Sequence, residues 1–173
     1  FRNASSFDQN IGGWDVSNVT RFCDSFNGPF TQASSFNNGG SDSIKNWDVS
    51  GAPEFGGRHG GGFFANASSF NQPIGTWDVS NVTDMSNVFR NASSFDRSLE
   101  NWNIEQVTVF TNFMYGTALS IQNYDATLIS WALQNVSLNQ NINSGSLQYS
   151  YESAAARQTL INTYGWTITD GGQ

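Results

Sequence analysis

The sequence predicts an α/β repeat: a short right-handed solenoid of about 25-residue coils, each a brief strand plus helical turns, closed by a C-terminal α/β cap. Three observations predict it. The phrase WDVSNVT stands at 14–20 and again at 77–83, with partial copies WDVS at 47–50 and WNIEQVT at 102–108. A second phrase, F-x-x-A-S-S-F, recurs as FRNASSF at 1–7, FTQASSF at 30–36, FANASSF at 64–70 and FRNASSF at 89–95. The step from Phe64 to Phe89 is 25 residues, and so is the step from Phe89 to Met114. Self-similarity at a fixed period of this length is the mark of stacked units, none of which can bury its own apolar face alone.

One clean unit, 77–101, carries the local reading. Trp77 and Val79 alternate with Asp78 and Ser80, which is strand spacing. Thr83 and Asp84 read as a helix start. Met85, Val88, Phe89, Ala92 and Phe95 then recur at steps of three and four, which predicts one face of a short helix or run of helical turns. NQPIG and DRSLEN make the return. Trp14, Trp47, Trp77 and Trp102 are expected to form one interior column. Phe1, Phe30, Phe64 and Phe89 form a second, and Phe7, Phe36, Phe70 and Phe95 a third. Asn18 and Asn81 are expected to turn the chain and to bond the backbone of adjacent coils, since interior amides and carbonyls need partners.

Longer steps mark insertions, all rich in glycine: near FNGPF, at NGGSDS, and in GAPEFGGRHGGGF (51–63). The last replaces N-V-T-x-M-S, so the second coil is expected to be irregular. The pattern stops near residue 116, which gives two parts of one domain, repeats over 1–116 and a capping segment over 117–173. In that segment NYDATLISWALQN (123–135) places Tyr124, Leu128 and Trp131 on one helical face, with Asn123 as a cap. SAAARQTLINTYG (153–165) is a second helix, capped by Ser153 and ended by Gly165. GWTITDGG reads as a short strand and turn.

Composition narrows the function. The chain has 173 residues, a net charge of −7, 12% charged residues and 14% aromatic residues, a balance that folds rather than staying disordered. Seven Lys plus Arg argue against a phosphate-binding footprint, so no nucleic-acid partner is expected. No apolar run approaches the roughly 18 residues that span a bilayer. A single cysteine, Cys23, makes no internal disulfide and leaves the redox compartment open. The chain opens at Phe1 in mid-pattern and reads as a mature or truncated piece of something longer.

No catalytic set can be assembled. The one histidine, His59, lies in GGRHGGG, which also lacks the Lys-Ser/Thr ending of a phosphate loop. Asp15, Asp48 and Asp78 form a column with Asn103. Two neighbouring carboxylates suit general acid/base work or calcium ligation, but an active site needs distinct residues in distinct roles, and these repeat. No catalytic residue, metal or cofactor is therefore expected. The candidate binding residues are Asp15, Asp48 and Asp78 on the strand face, with Arg58 and His59 in the insertion. Asn3, Asn66, Asn91 and Asn135 are glycosylation acceptors if the source is eukaryotic or viral.

The run F-x-x-A-S-S-F-N-Q-x-I-G-x-W-D-V-S-N-V-T-D-M-S resembles the short repeat of the BspA-like, leucine-rich-repeat-type bacterial surface proteins. The tail NYDATLISW…AAARQTLINTYGWTITDGG resembles the segment that closes such repeats. The resemblance implies a leucine-rich-repeat-like solenoid displayed outside the cell, on a cell or virion surface. It implies an adhesion or structural role, with a protein, a glycan or a neighbouring subunit as partner. Two alternatives stand beside it: a subunit of a larger extracellular assembly contacting through 27–30, 37–43 and 51–62, and a polysaccharide hydrolase using paired aspartates.

Overall fold

The computed structural model describes residues 1–24 and 26–173. It corrects the predicted fold class. The chain is a small α/β protein and not a solenoid of strand-plus-helix coils. Its regular elements are α1 (Ile121–Ala132), β1 (Asn141–Asn143), α2 (Tyr151–Asn162) and β2 (Thr167–Thr169). β1 and β2 pair in parallel as a two-stranded sheet, with Ile142 opposite Ile168. Ahead of α1 the described residues hold turns, three short 3-10 segments and single-residue bridges such as Glu54–Asp84–Val109, with no α-helix or multi-residue strand.

The reasons are local. In W-D-V-S the aspartate Oδ1 accepts the amide of the serine two residues on, at 3.0 Å for Asp78 and Ser80. That Asx turn ends the extended run before a ladder can form. The three- and four-residue spacing after Thr83 comes from successive turns, not from a helix. Val88, Ala92 and Phe95 each bond the carbonyl three residues back, and Asn87 and Asn91 hold φ of 58°. Asparagine tolerates this left-handed conformation where most residues do not, and it breaks a helix each time it occurs.

The aromatic register nevertheless forms inside these turns. F-x-x-A-S-S-F folds as two consecutive turns, with Ala67 N–H bonded to Phe64 O and Phe70 N–H to Ala67 O. This sets the two rings of each phrase face to face, at 4.0 Å for Phe30–Phe36, 3.7 Å for Phe64–Phe70 and 4.1 Å for Phe89–Phe95. Each pair lies over the next. Ring centroids are 5.6 Å apart for Phe30–Phe64, 5.8 Å for Phe64–Phe89, 6.1 Å for Phe36–Phe70 and 6.0 Å for Phe70–Phe95. These are offset-stacking distances, each worth about 0.5–1.5 kcal/mol beyond area burial. Trp47 and Trp77 stack at 6.3 Å, so the second unit joins the register despite its insertion.

Within the repeats, three buried indoles each find a carbonyl in the unit before. Trp47 Nε1 donates to Ile11 O at 3.2 Å, Trp77 to Ile44 O at 3.0 Å and Trp102 to Ile74 O at 3.1 Å. Trp14, expected inside, is 52% exposed, and Phe1 is 44% exposed. Asn18 and Asn81 are exposed as well; Asn81 reaches Ser50 O at 3.2 Å, but Asn18 touches only its neighbour Ser17.

The C-terminal helices begin earlier than expected. Ser120 caps α1 and Ser150 caps α2, in place of Asn123 and Ser153. Asn123 instead donates to Asp96, and Ser153 is buried and donates to Asp125. α1 covers the last unit: Trp131 lies 5.6 Å from Phe110 and 5.8 Å from Phe113, and Trp166 lies 5.2 Å from Phe110. Gly165, at φ 70°, ends the turn after α2 as expected.

The contrast between Trp77, 3% exposed, and Trp14 gives the first test. Trp77→Ala should lower unfolding free energy by about 3–5 kcal/mol in urea denaturation. Trp14→Ala should cost less than about 1 kcal/mol. Equal costs would contradict the register.

Candidate binding surfaces

The predicted aspartates are placed by the same turn in each unit. Asp15 Oδ1 accepts Ser17 N–H at 3.0 Å and Ser17 Oγ–H at 2.6 Å. Asp48 does the same with Ser50, at 3.1 and 2.6 Å. Asn103 takes the Glu105 amide at 3.0 Å in the equivalent place. Asp15, Asp48 and Asp78 are exposed. The serine hydroxyl and amide hold the carboxyls of Asp15 and Asp78 below the usual carboxylate range. Those bonds favour the ionised form of Asp15 and of Asp78. Among the described residues, no group of three or more His, Cys, Asp or Glu is placed to hold a metal ion.

Arg58 was expected to line the insertion; its side chain lies outside the described residues. His59 is exposed, takes φ 60°, and stacks on Phe26 at 5.2 Å with 12° between the rings. Two insertions therefore meet. Glycine makes the meeting possible, since a Cβ on Gly61 would sit 1.9 Å from Phe26 O. Thr31 Oγ donates to Gly62 O at 2.9 Å and fixes the same junction. Phe26 is 58% exposed, so the pair forms an aromatic platform on the surface. The insertion at 37–43 is separate. Its Asn38 is buried and accepts Ile11 N–H at 2.8 Å, which makes it part of the frame.

One set of residues was missed in the sequence. The residue after the second Phe of each phrase is Asp8, Asn37, Asn71 or Asp96. Its Oδ1 accepts the backbone N–H of the matching residue in the next unit: Asn37 to Asp8 at 2.7 Å, Asn71 to Asn37 at 2.9 Å, Asp96 to Asn71 at 3.0 Å, and Ser120 to Asp96 at 2.7 Å. The signal was an invariable Asp or Asn at one place in the register. For Asp96, burial disfavours the charge, but the bonds from the Ser120 amide, Asn123 and the Ser120 hydroxyl outweigh it and lower its pKa. A second spine runs through half-buried Asn66 and Asn91, joined at 3.0 Å. Of the four sequon asparagines, that leaves Asn3 and Asn135 exposed.

The C-terminal segment holds a half-buried ion pair. Arg157 Nε lies 2.8 Å from Asp170 Oδ2, its second nitrogen reaches Asp170 Oδ1 at 3.1 Å, and the guanidinium sits 4.9 Å from the Tyr149 ring centroid. Tyr124 OH also donates to Asp170, at 3.2 Å, and burial pushes the Tyr124 phenol up. These groups satisfy one another and tie the chain after β2 to α1 and α2. Cys23 is buried with Sγ 3.0 Å from Phe55 O, and burial raises its thiol pKa, so it is an unreactive core residue.

A family model described as "Mycoplasma protein of unknown function, DUF285" matches residues 1–57 and 61–153. The chain belongs to the DUF285 family. The match skips only 58–60 between its two parts, the tip of the loop that carries His59. In this DUF285 chain both aromatic phrases, and α1 with β1, fall inside the matched residues. No curated protein and no solved structure matches the chain. No helix among the described residues is long and apolar enough to cross a membrane.

Four carboxyls, Asp15, Asp24, Asp78 and Asp96, are held below their ordinary pKa. Below the unfolded value, about 3.9, the unfolded chain binds protons that the folded chain resists. Their contribution is therefore present above that pH and lost as pH falls through the folded values. Melting temperature should stay level from pH 7 to about pH 4 and drop below it. A loss already complete by pH 5 would contradict this assignment.

Proposed function

We propose that this DUF285 chain is a non-catalytic structural and adhesion module, displayed outside the cell, that binds a surface protein or glycan. The observation that carries the reading is the engagement of the repeated aspartates by their own serines. Asp15 and Asp48 each take two hydrogen bonds from the serine two residues on, so this carboxylate column stabilises turns. The resemblance to BspA-like surface proteins points the same way, as do the acidic charge and the rigid aromatic interior. The exposed Phe26–His59 platform is where a partner would dock, because stacked exposed rings offer apolar area at small conformational cost.

Two other readings stay distinct. A subunit of a larger extracellular assembly would use the same platform and the neighbouring insertions against another copy. A polysaccharide hydrolase would need Asp48 and Asp78 free to exchange protons.

One experiment separates them. The chain is assayed on arrays of surface glycans and matrix proteins, as wild type, as Phe26→Ala/His59→Ala, and as Asp48→Asn/Asp78→Asn. The expected result is saturable binding that falls at least about tenfold in the platform variant, the loss of a central aromatic contact. Binding should be unchanged in the aspartate variant, with no glycan cleaved by any form. Cleavage that disappears in the aspartate variant would establish the hydrolase instead. Binding equal in all three forms would remove the platform.

A further inference from the structure

The segment after Phe95 departs from its counterpart after Phe70. One reads Asp96-Arg97-Ser98, the other Asn71-Gln72-Pro73. Gln72 spends its amide on Asn37, at 2.7 Å to the carbonyl and 2.8 Å to Oδ1. Arg97 makes the matching bond with Nε alone, to Asn71 O at 3.1 Å. Its two terminal amino groups have no acceptor among the described residues. Asp96 Oδ1 takes the Ser120 amide, the Ser120 hydroxyl and the Asn123 side chain, whereas Oδ2 takes no bond among the described residues. Adjacent opposite charges are thus each oriented by other groups, and among the described residues they form no ion pair with one another.

Both line a polar cleft of about 310 Å³, with Pro73, Thr76, Asn101 and Asn123. It opens where the loops 73–76 and 98–101 meet the start of α1. Its walls are fixed. A Cβ on Gly75 would stand 3.1 Å from Ser98 O, so the two loops lie close together. Trp102 Nε1 holds Ile74 O at 3.1 Å, and Leu99 N–H bonds Thr127 Oγ1 at 3.2 Å. Ser130 of α1 donates to Glu100 O. Groups held in this way have little freedom left to lose when a ligand arrives.

The chemistry of the cleft selects its ligand. Asp96 Oδ2 is an acceptor, the Arg97 amino groups are donors, and the exposed Asn101 amide supplies both. Hydroxyl groups, which donate and accept, use all three. One negative and one positive group stand together, which disfavours an ion of either sign. The lining offers no aromatic or aliphatic pocket of the kind that anchors a peptide side chain. Its one apolar ring is half-buried Pro73, which suits the C–H face of a pyranose. We propose that this cleft binds a neutral hexopyranose unit of a glycan, with Asp96 Oδ2 accepting from its hydroxyls and Arg97 and Asn101 donating to its oxygens. The site shares no residue with the Phe26–His59 platform, and neither reading rests on the other.

The test is an NMR titration of the ¹⁵N-labelled full chain with four probes: methyl α-glucoside, methyl α-mannoside, methyl β-galactoside and N-acetylglucosamine. Glycerol and a mixed-sequence peptide pool are the controls. The expected result is saturable shifts of the Gly75, Thr76, Ser98 and Asn101 amides and of Arg97 Nε–H with at least one sugar. Arg97→Gln keeps a side-chain donor for Asn71 O, as Gln72 provides for Asn37 O, but removes the free amino groups. It should weaken binding at least about tenfold, the loss of a hydrogen bond to a charged group, as should Asn101→Ala. Phe26→Ala/His59→Ala should bind the sugar as wild type does, whatever becomes of the platform. The proposal is overturned if no probe shifts these amides, if glycerol shifts them equally, or if Arg97→Gln binds unchanged. Shifts produced by the peptide pool and by no sugar would make the cleft a peptide site instead.

Discussion

The overlap of Phe30, Phe64 and Phe89, with Phe36, Phe70 and Phe95 beside them, sets the positions of most other groups in the first two-thirds of the chain. Regular backbone ladders are almost absent there, so interior amides must find partners one at a time. Rings 5.6–6.1 Å apart hold successive turns near enough for single bonds to pass between them. Phe64 N–H reaches Val88 O, and Phe89 N–H reaches Phe113 O, at 2.9 and 3.0 Å. The Asp/Asn spine and the indole-to-carbonyl bonds add one contact per unit on either side. Each of these polar contacts is worth about 0.5–1.5 kcal/mol net. They specify the register, while burial of the rings supplies the larger driving force.

Such an interior leaves function to the surface. The repeated aspartates of the W-D-V-S turns and the Asp/Asn residues of the spine are engaged in holding the frame. The Phe26–His59 platform exists because two glycine-rich insertions, far apart in the chain, meet where only glycine allows the backbones to touch. The DUF285 match runs through the aromatic phrases and skips the tip of this loop. The aromatic frame thus lies within the family match, whereas of the platform Phe26 lies inside the match and His59 falls between its two parts.

The period and the aromatic columns were legible in the sequence because burial of a large ring is a strong and repeated constraint. Phe30, Phe64, Phe89, Trp47, Trp77 and Trp102 are where the register puts them. The secondary structure between the rings was not. Trp-Asp-Val-Ser has strand alternation, and Met85 to Phe95 has helical spacing, but side-chain capture of amides by aspartate and left-handed asparagines override both patterns. Periodicity reports which residues face inward, not how the backbone delivers them. The caps of α1 and α2 were misplaced by three residues each because a second Ser or Asn stands three residues after the true cap in each case, and tertiary partners engage Asn123 and Ser153. Of the candidate surface residues, the aspartates were correctly exposed. Their tie to the serines two positions on was within reach of the sequence, whereas the meeting of Phe26 with His59 depends on a long-range fold and carried no local signal.

Native-state hydrogen exchange followed by NMR tests the central claim most directly. The account predicts that the amides of Phe64, Asn66, Phe89 and Asn91, which donate to the following turn, exchange only through global unfolding although they lie in no helix or strand. Exchange of these amides at the rate of an exposed loop residue such as Gly13 would contradict it.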